Sequence, residues 1–185
     1  MSRLTNQIDE LKRCIQDEGI VPENRLGDEL FLFASTLMPV VNVDLLVFND
    51  KDQVLLSWRN DPHCGCGWHV PGGCLRFKET LENRVHKTAI NEFGVDVEMN
   101  SEALGLFEIF FPNFRDGIKN QRERAHFITI VYECKLSEGL KNNKIEGESG
   151  NLKWFDELPE NLLNVQDCYK QNWSYLINRR KSNNG

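Results

Sequence analysis

The sequence predicts an α/β/α sandwich: a mixed sheet with helices on both faces and an extra helix at the N-terminus. Three observations point there. Short β-branched, apolar runs recur along the chain, patterned helices lie between and after them, and turns rich in glycine, proline and asparagine separate the two. The 185 residues suit one domain with a sizeable core.

Taken in order, Leu4, Ile8, Leu11 and Ile15 form the apolar stripe of an amphipathic helix that ends near Gly19. That stripe packs either on its own domain or on a second copy of the chain, making a homodimer. We divide the chain into a helical extension, residues 1–27, and a main domain, residues 28–185. After Pro22 to Arg25 comes a short helix, Asp28 to Ser35. Val40 to Phe48 is β-branched and apolar, hence a central strand. Asn49 to Asp52 reads as a hairpin turn and Val54 to Trp58 as the returning strand. Pro62 and two glycines make Asn60 to Gly67 a loop.

The stretch Val70-Pro71-Gly72-Gly73 then reads as a strand running into a tight glycine turn. Thr80 caps the next helix, with Glu82 in its first turn, where the macrodipole favours a carboxylate. Leu81, Val85, Ala89 and Phe93 give it one apolar stripe, and Gly94 stops it. Leu104 to Phe111 and His126 to Leu136 are two further strands, separated by the polar residues 112–124. A second polar stretch precedes the strand Leu152 to Phe155, and Gln166 to Lys181 closes the chain as a helix.

Bulk properties narrow the function. A net charge of −6 argues against a nucleic-acid partner, since phosphate backbones want clustered cations. No apolar run approaches bilayer length, and Met1 to Arg25 lacks a signal-like apolar block, so we expect a cytoplasmic chain with no membrane partner. The six cysteines show no regular framework and are expected to be reduced. His63, Cys64, Cys66, His69 and Cys74 crowd one region, but their spacing does not match a zinc site, and free thiols are the simpler reading.

Chemistry concentrates between Pro71 and Val95. Thr88, Asn91 and Glu92 line up at i, i+3 and i+4, away from the apolar stripe. Glu92 is thus expected on the solvent side, near a glycine turn whose carbonyls can serve a metal. A diphosphate needs its charge neutralised, and Mg²⁺ does this with oxygen ligands while keeping several waters.

This segment resembles the Nudix box, G-x5-E-x7-REUxEExGU, in which U is aliphatic. Gly73 opens the box, Glu79 is its first glutamate, Glu92 its last, and Gly94-Val95 its close. Lys87 stands for the arginine, while Thr88, Ala89 and Asn91 replace a glutamate, an aliphatic residue and another glutamate. Within the family the chain is similar to the GDP-mannose mannosyl hydrolase branch. That branch keeps only the last glutamate of the metal cluster and carries a run matched by Trp68-His69-Val70-Pro71-Gly72-Gly73. Leu152 to Phe155 and Glu157-Leu158-Pro159 look like the closing strand and turn of the fold.

The resemblance implies a Mg²⁺-dependent hydrolase, with Mn²⁺ as a substitute, acting on a nucleotide-diphosphate sugar such as GDP-mannose. It implies metal ligands at Glu92, at the Gly72 carbonyl and at Glu148. Asp44 and Arg59 match residues of the branch, Arg59 as a diphosphate-contacting cation. The cation that directly follows the two glycines in the branch is Cys74 here; Arg76 either replaces it or is a surface charge. The branch's general-base histidine falls at Ser149, which has no pKa near neutrality, so Glu148 and His126 become the candidates. His126 is otherwise a hydrogen-bonded strand histidine. Glu79 and Lys87 pair structurally. Phe110, Phe111 and Phe114 either stack on a nucleobase or join the core, and Arg115, Lys119, Arg122 and Arg124 either clamp phosphate or form a solvated loop. Two alternatives stay open: P–O cleavage of a nucleoside diphosphate derivative, and a non-catalytic nucleotide- or sugar-binding module.

Overall fold

The computed structural model describes residues 2–61, 65–110, 126–137 and 152–183. Helix α1 spans Arg3–Asp17 and α2 spans Asp28–Ser35. Strands β1 (Val40–Val47), β2 (Val54–Asp61), β3 (Gly65–His69) and β4 (Gly72–Cys74) follow. Next come α3 (Leu81–Phe93), β5 (Val97–Phe110), β6 (His126–Leu136) and β7 (Leu152–Phe155). A 3-10 turn, Asn164–Gln166, leads into α4 (Asp167–Asn183).

Two sheets form, a four-stranded one in the order β4-β1-β6-β5 and a three-stranded one in the order β3-β2-β7. β1 and β6 run parallel, while β1–β4, β5–β6, β2–β3 and β2–β7 are antiparallel. The first sheet is therefore mixed, and its central β1 is buried on both faces from Val43 to Val47. That double burial is why β1 reads as a continuous apolar run instead of an alternating one.

Two cores flank the strands. One joins Val43, Leu45 and Val47 to Val85, Ala89 and Phe93 of α3. The other joins Leu46 and Val131 to Tyr169 and Leu176 of α4. Alternate residues of β1 thus feed opposite layers, and the predicted α/β/α sandwich with its extra N-terminal helix is the fold observed. Helix α3 starts at Thr80, whose hydroxyl accepts from the Asn83 amide at 3.2 Å, and ends at Gly94 with φ of 69°.

Two expectations about the strands need correction. The segment read as a loop between Asn60 and Gly67 is largely strand: β2 runs on to Asp61 and pairs Arg59 with Gly67 and Asn60 with Cys66. Glycines lower strand propensity, but the pairing comes from non-local hydrogen bonds that propensity does not register. β5 begins at Val97, earlier than Leu104, because its polar first half lies on the sheet edge and register shifts between Met99 and Gly105 break its alternation. Helix α1, capped by Ser2, buries none of its residues, and Leu4, Ile8 and Leu11 stay exposed. Among the described residues, no helix is long and apolar enough to cross a membrane.

Candidate active site

Gly72 and Gly73, expected to form a tight turn, instead open strand β4, because pairing with β1, which local glycine content does not register, places Gly72 opposite Asp44 and Gly73 opposite Val43. Both glycines are required by close approach. A Cβ on Gly72 would collide with Asp44 Oδ1, and one on Gly73 would lie 2.5 Å from Thr88 Oγ1 and 3.2 Å from Arg84 Cδ. The first glycine lets a buried carboxylate press against the chain; the second lets α3 lie directly on β4.

Asp44 is 2% exposed. Its Oδ1 accepts from Asn42 Nδ2 at 2.5 Å, and its Oδ2 accepts from the Tyr169 hydroxyl at 2.6 Å. Burial dominates and raises its pKa to about 6, although Tyr169, Thr129, Arg59 and Asn42 all favour the charged form. Asp44, Asn42, Arg59, His69, Gly72 and Cys74 line a cavity of about 240 Å³, together with Ile109, Phe127, Thr129, Val165 and Gln166. Polar and apolar side chains both contribute to it, as in sites for small organic ligands.

Glu92 stands beside two of these lining residues. Its Oε1 is 3.6 Å from Arg59 Nη2 and its Oε2 is 4.0 Å from His69 Nε2. The side chain is only 12% exposed, so the expected solvent-side carboxylate is in fact turned toward β2 and β3. The cause is the close seat of α3 on β4, which brings that helix face against the strands. His69 Nδ1 donates to the Ser57 carbonyl at 2.8 Å, which fixes the ring and aims Nε2 at Glu92.

The loop before α3 is tied by Glu79. Arg84 Nε lies 2.7 Å from Glu79 Oε2 and Arg84 Nη2 lies 2.9 Å from Oε1; Lys87 Nζ adds a contact at 3.0 Å. The Arg76 amide also donates to Glu79 Oε2 at 3.0 Å. Burial works to raise the Glu79 pKa, but these donors outweigh it and pull the carboxyl down to about 2. The expected Glu79–Lys87 pair is thus present, and Arg84 supplies the planar fork that Lys87 lacks.

The remaining predicted residues divide. Arg59, Asp44 and Gly72 come together at the cavity, with Glu92 beside Arg59. Arg76 is not among the described lining residues. Phe110 and His126 are cross-strand partners whose rings stack at 4.3 Å, and His126 Nε2 lies 3.0 Å from Glu108. Their sequence neighbours Ile109 and Phe127 line the cavity, so strand alternation directs Phe110 and His126 to the opposite sheet face. Glu148, Ser149, Phe111, Phe114, Arg115, Lys119, Arg122 and Arg124 lie outside the described residues.

Sequence reading missed Arg84, Tyr169 and Gln166, and named His69 among possible zinc ligands and within the Trp68–Gly73 run without a role beside Glu92. Arg84 had a local signal, five residues after Glu79 and within the first turn of α3. His69 had one too, inside the run that ends in Gly72-Gly73. Tyr169 and Gln166 had none, because their partners are distant in the chain.

Residues 38–166 match the NUDIX domain family. The chain belongs to the Nudix family. Over 142 residues it is 30% identical to the low-salt glycan biosynthesis protein Agl8 of Haloferax volcanii, covering 76% of this chain and 86% of that protein. Among solved structures, this Nudix chain superimposes on a possible asymmetric diadenosine tetraphosphate hydrolase from Jonesia denitrificans. The TM-score is 0.60 at 17% identity, over 77% of this chain and 97% of that one. A UDP-X diphosphatase gives a TM-score of 0.58 at 18% identity, over 79% of this chain and 64% of the diphosphatase. At such identities these structures speak for the fold alone.

The Nudix fold implies a divalent cation. Among the described residues, no three His, Cys, Asp or Glu side chains are grouped to hold a metal ion. What they offer is the shielded Glu92 carboxylate, an oxygen donor of the kind that suits Mg²⁺, a hard cation that retains waters.

Proposed function

We propose that this Nudix chain is a Mg²⁺-dependent hydrolase of a nucleoside diphosphate derivative, with a nucleotide sugar as substrate and the diphosphate linkage as the bond cleaved. The observation that carries this reading is Glu92, a largely shielded carboxylate 3.6 Å from Arg59, on a helix pressed against Gly73 of β4. Glu92, the Gly72 carbonyl and Glu148 are the ligands assigned to Mg²⁺, with Mn²⁺ as substitute. When bound, the ion neutralises charge that gathers on the diphosphate as the bond breaks.

The chain's own groups then have separate tasks. Arg59, at the cavity wall, binds a diphosphate oxygen and stabilises the leaving charge. His69, braced on the Ser57 carbonyl, stands 4.0 Å from Glu92 and, when protonated, places a positive charge beside it. Asp44 and Asn42 offer hydrogen-bonding atoms to a hydroxyl-bearing group in the cavity. Glu148 is the general base to test first. The name of Agl8 places that protein in glycan biosynthesis, and glycans are assembled from nucleotide-linked sugars; this favours a sugar on the substrate. Membership of the Nudix family favours cleavage within the diphosphate, the reaction of its pyrophosphatases.

A second reading, attack of water at the anomeric carbon with release of GDP and mannose, is supported by the Trp68–Gly73 run and by a box reduced to Glu92. Incubation of a nucleotide-sugar panel with Mg²⁺ in ¹⁸O-water separates the two. Label in a phosphate product supports P–O cleavage, and label in the free sugar supports the mannosyl hydrolase reaction. Tight binding with no turnover of any nucleotide sugar would mark a binding module and end both enzymatic readings.

A further inference from the structure

The family match ends at residue 166, yet the helix that follows reaches into the site. Gln166, at the end of the 3-10 turn, meets Val70 in the link between β3 and β4, and Tyr169, in α4, meets β1. The buried Gln166 amide grips both main-chain groups of Val70: the Val70 N–H donates to Oε1 at 2.7 Å, and Nε2 donates to the Val70 carbonyl at 2.9 Å. This is the hydrogen bonding a neighbouring strand would supply, given by one side chain to the segment that leads into Gly72. Pro71 is held from the other side, its carbonyl accepting from the Leu45 amide at 2.8 Å.

Tyr169 is fully buried and packs edge-on against Phe107 with ring centroids 5.9 Å apart. A phenylalanine would serve that packing equally well. The hydroxyl has a different use, a 2.6 Å hydrogen bond to Asp44 Oδ2. With Oδ2 so held, Oδ1 is directed at Asn42 and the Gly72 main chain, on the cavity wall that also carries Arg59.

We propose that Tyr169 and Gln166 are positioning residues: through them the C-terminal helix orients Asp44 and Gly72 of β4 to select the hydroxyl-bearing group attached to the diphosphate. The inference rests on the nucleotide-sugar reading above. Arg59 takes the diphosphate, and Asp44, at the same cavity, takes hydroxyls of the attached sugar. Tyr169 touches no substrate; it sets the direction of the carboxylate that does.

The test is Tyr169→Phe, which keeps the ring, assayed with Mg²⁺ for KM and kcat on GDP-mannose and for inhibition by GDP. We expect a folded protein whose KM for GDP-mannose rises about tenfold, the size of one charge-assisted hydrogen bond. The expected kcat and GDP inhibition constant stay within about twofold. In an Asp44→Asn background the same change adds nothing, because the acceptor it orients is already altered. An unchanged KM, an equal weakening of GDP and GDP-mannose, or additive losses in the double variant each overturn the proposal. If the wild type turns over no nucleotide sugar, the enzymatic reading fails separately. Calorimetric binding of GDP-mannose against GDP then decides the role of Tyr169 by the same criterion, and a wild type that binds neither overturns it too.

Discussion

Arg84 holds Glu79 through two nitrogens, at 2.7 and 2.9 Å, with the two side chains 9% and 4% exposed. A fork gripping both oxygens of a shielded carboxylate resists loss more than a single ammonium at the surface. Lys87, 58% exposed, makes the surface contact. We predict that Arg84→Met lowers unfolding free energy by about 3 kcal/mol, while Lys87→Met costs about 1 kcal/mol or less. Urea unfolding of both variants tests the ranking, and equal losses would show that the fork has no special weight.

The same pair makes stability depend on pH. The Glu79 carboxyl sits at about 2 in the folded protein against an ordinary value of 4.5. A lowered folded-state pKa adds stability above the unfolded value and loses it as pH falls through the folded value. The contribution is therefore full above about pH 4.5 and fades toward pH 2. Unfolding of the wild type and of Glu79→Gln, compared from pH 7 to pH 2.5, is expected to converge at the acid end. A constant gap across that range would contradict the assignment.

Glu92→Gln is predicted to leave the fold intact, with a melting temperature within a few degrees, and to lower Mg²⁺-dependent turnover about 10²-fold or more. Mn²⁺ binding, followed by the electron paramagnetic resonance of the free ion, is expected to weaken with it. Wild-type Mn²⁺ affinity in this variant would remove Glu92 from the ligand set.

Arg59 has two opposed effects, because it faces Glu92 and lines the cavity. Arg59→Met is predicted to lower turnover about 10²-fold through loss of the diphosphate contact. The same change is predicted to tighten Mn²⁺ binding without nucleotide about fivefold, since a cation 3.6 Å from Glu92 is gone. Arg76→Met is the control and should leave Mn²⁺ affinity unchanged. Weaker Mn²⁺ binding in Arg59→Met would reverse the assigned electrostatics.

Legibility in the sequence followed locality. Helix α3 was readable from Thr80, its apolar stripe and Gly94, because cap, face and stop lie within fifteen or so residues and obey helix geometry. β1 was readable because burial on both faces leaves a β-branched run. β3 and the first half of β5 were not, since glycine, asparagine and glutamate there are outweighed by pairing with strands from elsewhere. In the site, Glu92 surfaced through its helix spacing, Gly72 through the glycine pair, and Arg59 through the resemblance to the mannosyl hydrolase branch. The bond from Tyr169 to Asp44 spans 125 positions, and no periodicity encodes a contact at that range. Even for Glu92 the spacing named the residue and misjudged its surroundings, because how deeply a helix sits on a strand depends on the small residues beneath it.

Those small residues also limit how this box can evolve or be engineered. Thr88 is buried, with its hydroxyl against the bare Cα of Gly73. A glutamate written back at 88 would need space that the snug seating of helix on strand has removed. A longer side chain at 88 therefore calls for concerted adjustment of helix α3 and strand β4, so that a single substitution there is expected to strain both.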